Sequence, residues 1–127
     1  MLLVEDEDQV RGAAAGILRR AGYTVLEARS PREALAICRA HDGRIDLVLT
    51  DIVMPGMNGR TLSREISELR PSVSTLYMSG YTDNVIQHHG VLAEGEWFLQ
   101  KPFTPALLAQ RVRAVLDHRS ARETPGA

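Results

Sequence analysis

The sequence lacks the marks of several large classes of protein. It has a single cysteine, Cys38, which excludes an internal disulfide and any cysteine-rich metal site. No apolar run approaches the length needed to cross a bilayer. The first residues show no basic region ahead of their short apolar stretch, so the pattern of a signal peptide is missing. The formal net charge is −1, which gives no basic face for a nucleic-acid backbone. No internal repeat is present. The expectation from these absences is a cytoplasmic protein without membrane contact and without direct nucleic-acid binding. What is there is ordinary for a globular protein: 127 residues, 44% hydrophobic and 24% charged. That is one domain, able to bury roughly two-thirds of its unfolded surface. Its expected extent is residues 1–118, followed by a flexible C-terminal tail at 119–127 that has little to bury.

Strand-like and helix-like stretches alternate along the chain. Met1-Leu2-Leu3-Val4 reads as a strand. Val10, Ala13, Ala14, Ile17 and Leu18 recur at helical spacing, with Gly22 placed to end the helix in a left-handed cap. Tyr23 to Glu27 reads as a second strand. Ser30-Pro31-Arg32-Glu33 combines a cap, a proline at the first helical position and a capping-box glutamate, and Ala34, Leu35, Ile37 and Cys38 form that helix's buried side. Asp46 to Thr50 is the third strand. A helix from about Asn58 to Leu69 buries Leu62, Ile66 and Leu69 and stops at Pro71. Val73 to Met78 is the fourth strand, a short weak helix around Val85 and Ile86 follows, and Trp97 to Gln100 is the fifth strand. Thr104-Pro105 opens the last helix, whose stripe is Leu108, Val112, Val115 and Leu116.

This alternation predicts an α/β fold with a single five-stranded parallel sheet and helices on both faces. The common strand order for that count is 2-1-3-4-5, with a ligand crevice beyond the C-terminal ends of strands 1 and 3. The residues just past each strand are therefore the ones to read. Strand 1 delivers Glu5, Asp6 and Glu7; strand 3 delivers Asp51; strand 4 delivers Ser79-Gly80; strand 5 delivers Lys101-Pro102. Clustered carboxylates repel one another, and Mg2+ suits such an oxygen-rich site because it bridges carboxylate to phosphate. With a lysine and a hydroxyl added, the set describes a phosphoryl-accepting centre. Asp51 is its nucleophile, with the metal and Lys101 offsetting charge on the transferred group.

The motifs LLVEDED, DLVLTDIVMPGMNG, MSG and KPF, in this order and each at a strand end, resemble the receiver domain of bacterial two-component response regulators, over residues 1 to about 118. The resemblance implies a flavodoxin-like sheet of the receiver type and a phosphoacceptor role for Asp51. It implies magnesium held by Asp6, Asp51 and the backbone carbonyl of Val53, with Glu5 acting through water or charge. It makes Ser79 the hydroxyl that binds a phosphoryl oxygen and Phe98 the aromatic switch. It also implies a cis bond before Pro102. The phosphodonor would be a histidine kinase or a histidine phosphotransfer domain. Phosphorylation would change the face formed by the fourth helix, fifth strand and fifth helix. The domain would assist its own phosphorylation without being a turnover enzyme. The short first strand, the bare tail and LYMSGYTDN favour a receiver module of a hybrid histidine kinase over a stand-alone regulator.

Alone, each of these residues has a plainer explanation. Glu5 to Asp8 could be a solvated capping run, Asp51 a turn former, Ser79 a turn residue, Lys101 a surface lysine and Phe98 plain core; their convergence argues otherwise. His88 and His89 are adjacent and make a poor metal pair on a helix. His41 and His118 sit near helix C-termini. Cys38 is expected in the core, and the arginines, Arg11 among them, on solvated helix faces. Two rivals belong to other classes. An aspartate-nucleophile phosphohydrolase of the haloacid-dehalogenase type wants a second Asp where this chain has Val53. A flavin-binding flavodoxin-like module wants a neutral phosphate loop where Glu5 to Asp8 would repel a phosphate. Val53 and Tyr81 also lack a carboxylate or amide to orient water, which predicts a phosphoryl lifetime of minutes or more.

Overall fold

The computed structural model describes residues 1–54, 56–79 and 97–123. The expected short helix around Val85 and Ile86, together with Pro55, Gly80, Tyr81, His88, His89 and residues 124–127, lies outside them.

The described elements are β1 (Leu2–Val4), α1 (Asp8–Arg20), β2 (Leu26–Ala28), α2 (Pro31–Ala40), β3 (Leu47–Asp51), α3 (Gly59–Leu69), β4 (Ser74–Ser79), β5 (Trp97–Gln100) and a last helix, α4 (Pro105–Glu123). The five strands form one sheet in the order β2-β1-β3-β4-β5, every pair parallel. Because successive side chains on a strand point to opposite faces, the sheet divides its residues between two apolar layers. Leu3, Leu47, Leu49, Leu76, Met78 and Leu99 pack against α1 and α4. Leu2, Val4, Ala28 and Val48 pack against α2 and α3.

Local chemistry sets the boundaries. The α1 C-terminus is a Schellman turn: Gly22 has φ +99°, and the Gly22 and Tyr23 N–H groups donate to the Arg19 and Leu18 carbonyls at 3.0 and 3.1 Å. That turn consumes Tyr23, so β2 begins at Leu26 rather than at Tyr23, opposite the three residues of β1. Ser30 Oγ accepts from the Glu33 N–H at 3.1 Å, but Glu33 returns its carboxylate to the Arg29 N–H and not to Ser30. Asn58 Oδ1 caps α3 through the Thr61 N–H at 2.9 Å, and Thr104 Oγ1 caps α4 through Leu107 at 3.1 Å.

Three further expectations need correction. On α1 the buried stripe is Ala14, Ala15 and Leu18, with Ala13 exposed. Leu69, in the last turn of α3, is 42% exposed and is not part of the apolar layer that takes in Leu62 and Ile66. The last helix continues to Glu123, past the expected boundary at 118, because no helix breaker occurs before Pro125. No helix among the described residues is long and apolar enough to cross a membrane.

Candidate functional site

Period-two alternation explains why three charged side chains meet. Leu3 on β1, Leu49 on β3 and Leu99 on β5 face the α1–α4 layer; Glu5, Asp51 and Lys101 are the next residues of the same rows. The extended backbone persists to this point. The Glu5 N–H donates to the Ala28 carbonyl at 3.0 Å, and Ile52 to Met78 at 3.0 Å. Lys101 N–H donates to the Ser79 carbonyl at 2.7 Å, and Lys101 is joined to Pro102 by a cis peptide bond.

Glu5 is fully buried and Asp51 nearly so. Lys101 Nζ lies 2.8 Å from Glu5 Oε2 and 2.6 Å from Asp51 Oδ1. One ammonium thus serves two buried carboxylates and leaves a negative charge uncompensated. Burial, helped by the neighbouring Glu5 carboxyl and opposed by Lys101, pushes the Asp51 carboxyl up to about 8. Burial also acts to raise Glu5, but its hydrogen bonds with Asp51, Lys101 and the Glu7 N–H outweigh it and lower that group. Lys101 ends raised: burial disfavours its charge, and the two carboxylates more than offset this. Without a further cation the buried pair therefore favours retaining a proton over carrying two full negative charges.

Asp6 is exposed at the mouth of the site. One oxygen each from Glu5, Asp6 and Asp51 lies within 4.8 Å of the others. This all-oxygen donor set with surplus negative charge fits a hard divalent cation such as magnesium. The Glu5 carboxylate also contacts Lys101 directly. Val53 follows Asp51 in the next turn with its side chain 64% exposed.

The turn after Asp51 is held closely. A Cβ built on Gly59 would run into the Asp51 carbonyl oxygen, and the Gly59 N–H donates to the Ile52 carbonyl at 2.6 Å. Only glycine lets α3 start so near the end of β3. The Thr50 hydroxyl, itself buried, donates to the Asp51 carbonyl at 3.1 Å.

Ser79 ends β4, buried, one residue beyond Met78, the register partner of Asp51. Phe98 lies opposite Tyr77, half-buried. By alternation Tyr77, Ser79 and Phe98 share the sheet face opposite the Leu49 and Leu99 row. Cys38 is buried on α2. His41 caps α2, and His118 sets its ring edge-on to Trp97 at 5.6 Å.

Arg11 escapes a reading of sequence as a solvated helix residue, for its side chain is only 12% exposed. Its guanidinium reaches the Glu5 carbonyl at 2.9 Å and Asp8 Oδ1 at 2.6 Å. The Asp8–Arg11 spacing of i, i+3 was the one available signal. Arg70, at the far end of α3, donates to the carbonyls of Cys38, His41 and Gly43 at 3.2, 2.5 and 2.8 Å.

Comparison with known proteins gives the same picture. A family model described as the response regulator receiver domain matches residues 1–113. The sensor kinase CckA of Brucella abortus is 40% identical over 117 residues, covering 92% of this chain and 12% of the kinase. The aerobic respiration control protein ArcA of Escherichia coli is 34% identical over 117 residues, covering 92% of this chain and 48% of the regulator. The chain thus spans half or less of these relatives' length. Among solved structures, the receiver domain of the hybrid histidine kinase CckA superposes with a TM-score of 0.75 at 37% identity, covering 91% of this chain and 96% of that one. A receiver domain protein from Clostridium thermocellum superposes with a TM-score of 0.82 at 26% identity, covering 95% and 96%.

Proposed function

We propose that this chain, which belongs to the response regulator receiver domain family, accepts on Asp51 a phosphoryl group from a phosphohistidine of a histidine kinase or phosphotransfer domain. The observation that carries the reading is the buried Asp51 carboxylate, held by Lys101 at 2.6 Å and faced by two further acids. In the transfer, a carboxylate oxygen of Asp51 attacks phosphorus, the P–N bond to the donor imidazole breaks, and an acyl phosphate forms. Lys101, fixed by Glu5 as well as by Asp51, keeps its ammonium where a phosphoryl oxygen gains charge, so its stabilisation needs no reorganisation. Asp6, Asp51 and the Val53 carbonyl would hold magnesium, with Glu5 acting through water or charge, and the ion would supply charge neutralisation for the transferred group.

After transfer, the Ser79 hydroxyl accepts the role of hydrogen-bond donor to the phosphoryl group. Phe98, on the same sheet face as Ser79, repacks and changes the surface around β5. The domain is a switch that assists its own modification, with no substrate turned over. The phosphohydrolase and flavin-binding alternatives have no support: the position two beyond Asp51 is an exposed valine, and the loop after β1 is acidic. The similarity to a kinase-borne receiver favours a cytoplasmic receiver module within a hybrid histidine kinase.

Incubation with a small-molecule phosphodonor, with and without magnesium, followed by intact mass measurement, tests this. One added phosphoryl group is expected on the wild type only with magnesium, and none on Asp51→Asn. Equal labelling of the Asn variant would remove the proposal. Because Val53 and Tyr81 carry neither a carboxylate nor an amide to orient water, purified phosphoprotein in magnesium buffer should keep its label for minutes; loss within seconds would contradict that part.

A further inference from the structure

We infer that Arg11 is a positioning residue: its guanidinium fixes the acidic turn Glu5–Glu7 so that Glu5 and Asp6 present a preformed oxygen set to a divalent cation. The inference rests on the reading of Glu5, Asp6 and Asp51 as a magnesium site.

Arg11 lies one turn into α1, beside exposed Gly12 and Ala13, yet its own side chain is 12% exposed. The fork makes three contacts on three elements. Nη1 donates to the main-chain carbonyl of Glu5 at 2.9 Å, where β1 ends. Nη2 meets Asp8 Oδ1 at 2.6 Å in the first turn of α1. Nε faces Glu27 Oε1 at 3.4 Å on the edge strand β2.

Every polar part of Glu5 is thereby held. Its N–H is bonded to Ala28, its carboxylate to Lys101 and its carbonyl to Arg11. The peptide group is planar, so fixing the Glu5 carbonyl also fixes the direction in which the chain leaves toward Asp6. Asp6 is exposed and follows that peptide directly. A planar, five-donor guanidinium can serve a carbonyl and two carboxylates at once; a lysine cannot.

Arg19 provides the internal comparison. It bonds the same Glu27 at 3.0 Å and the Val25 carbonyl at 2.9 Å, but it is 49% exposed and none of its described hydrogen bonds or ion pairs involves the acidic turn. The two arginines therefore share one carboxylate partner and differ in whether they hold the site.

The test is calorimetric titration of magnesium into the full chain as wild type, Arg11→Gln, Arg11→Lys, Arg19→Gln and Asp51→Asn, with urea unfolding of each in chelator and in magnesium. Loss of an outer-shell partner weakens metal affinity by about tenfold. Arg11→Gln should show that loss, Arg11→Lys a smaller one, and Arg19→Gln a change within about twofold. Arg11→Gln and Arg19→Gln both lower the unfolding midpoint in chelator through Glu27. The added stability conferred by magnesium, which reads affinity directly, shrinks only in the Arg11 variants. Magnesium binding by Arg11→Gln as tight as by the wild type overturns the inference. If Arg11→Gln does not fold, an Arg11→Lys protein with a full magnesium increment overturns it equally. A wild type that binds no magnesium, or binds it as well after Asp51→Asn, removes the site reading itself and this inference with it.

Discussion

The two edges of the sheet use charged residues in opposite ways. At the C-terminal edge Glu5, Asp51 and Lys101 are gathered inside the protein, and one ammonium is set against two carboxylates. At the N-terminal edge the charges are dispersed. Arg44, well exposed, pairs at 2.7 Å with its near neighbour Asp46, which is half-buried. Arg70 uses its fork on main-chain carbonyls of the α2–β3 connection. The first edge holds charge against the penalty of burial, the condition for a reactive carboxylate. The second uses charge to tie loops, the condition for a stable scaffold. A single fold serves both because parallel strands bring all their C-terminal ends, and only those, to one side.

This contrast can be broken by substitution. The largest effect is expected for Lys101→Met, which removes the ammonium proposed to meet the phosphoryl oxygens. Phosphorylation from a small-molecule donor should slow by about a hundredfold, and an unchanged rate would mean that Lys101 is only a structural counter-ion. Next is Gly59→Ala, whose new methyl group meets the Asp51 carbonyl. Urea unfolding should show a loss of about 1–3 kcal/mol, together with slower labelling of Asp51. Arg70→Met at the other edge should lose about 2 kcal/mol through its carbonyl contacts while labelling proceeds at the wild-type rate. Reduced labelling there would show that the two edges are not independent.

A pH slope tests the same contrast without a substitution at the other edge. The Asp51 carboxyl, ordinarily at 3.8, is pushed up to about 8 in the cation-free fold. The folded state then holds a proton that the unfolded chain has released, so this group's contribution to stability falls as pH rises through that window. Unfolding in chelator should therefore show stability declining from about pH 5 to about pH 8. Asp51→Asn should flatten the decline; an equal slope in both proteins would place its origin elsewhere.

Much of this was legible in the chain. Glu5, Asp51 and Lys101 could be placed because each ends an apolar strand, and a parallel α/β fold has one edge where such residues meet. Asn58, Thr104 and Gly22 could be placed because caps and left-handed turns select residue types locally. What escaped were contacts with no local rule. Arg11 and Arg70 reach carbonyls on other elements, and nothing in an arginine's neighbours announces this. The start of β2 was misplaced because Tyr23 serves the α1 turn before it can serve a strand. Leu69 has the right spacing for burial, yet it is not part of the apolar layer that takes in Leu62 and Ile66. Gly59 lay unremarked in the motif after Asp51, whereas the approach of α3 to the Asp51 carbonyl excludes any other residue there.

The central claim is that Asp51 carries the phosphoryl group. The most direct test is reductive trapping. Chain phosphorylated in magnesium is treated with borohydride, which converts an aspartyl phosphate to homoserine, and the peptides are sequenced by mass spectrometry. Homoserine at position 51 and nowhere else is the predicted result. Homoserine at Asp6, or phosphoryl recovered on a histidine or serine with position 51 still aspartate, would contradict the account.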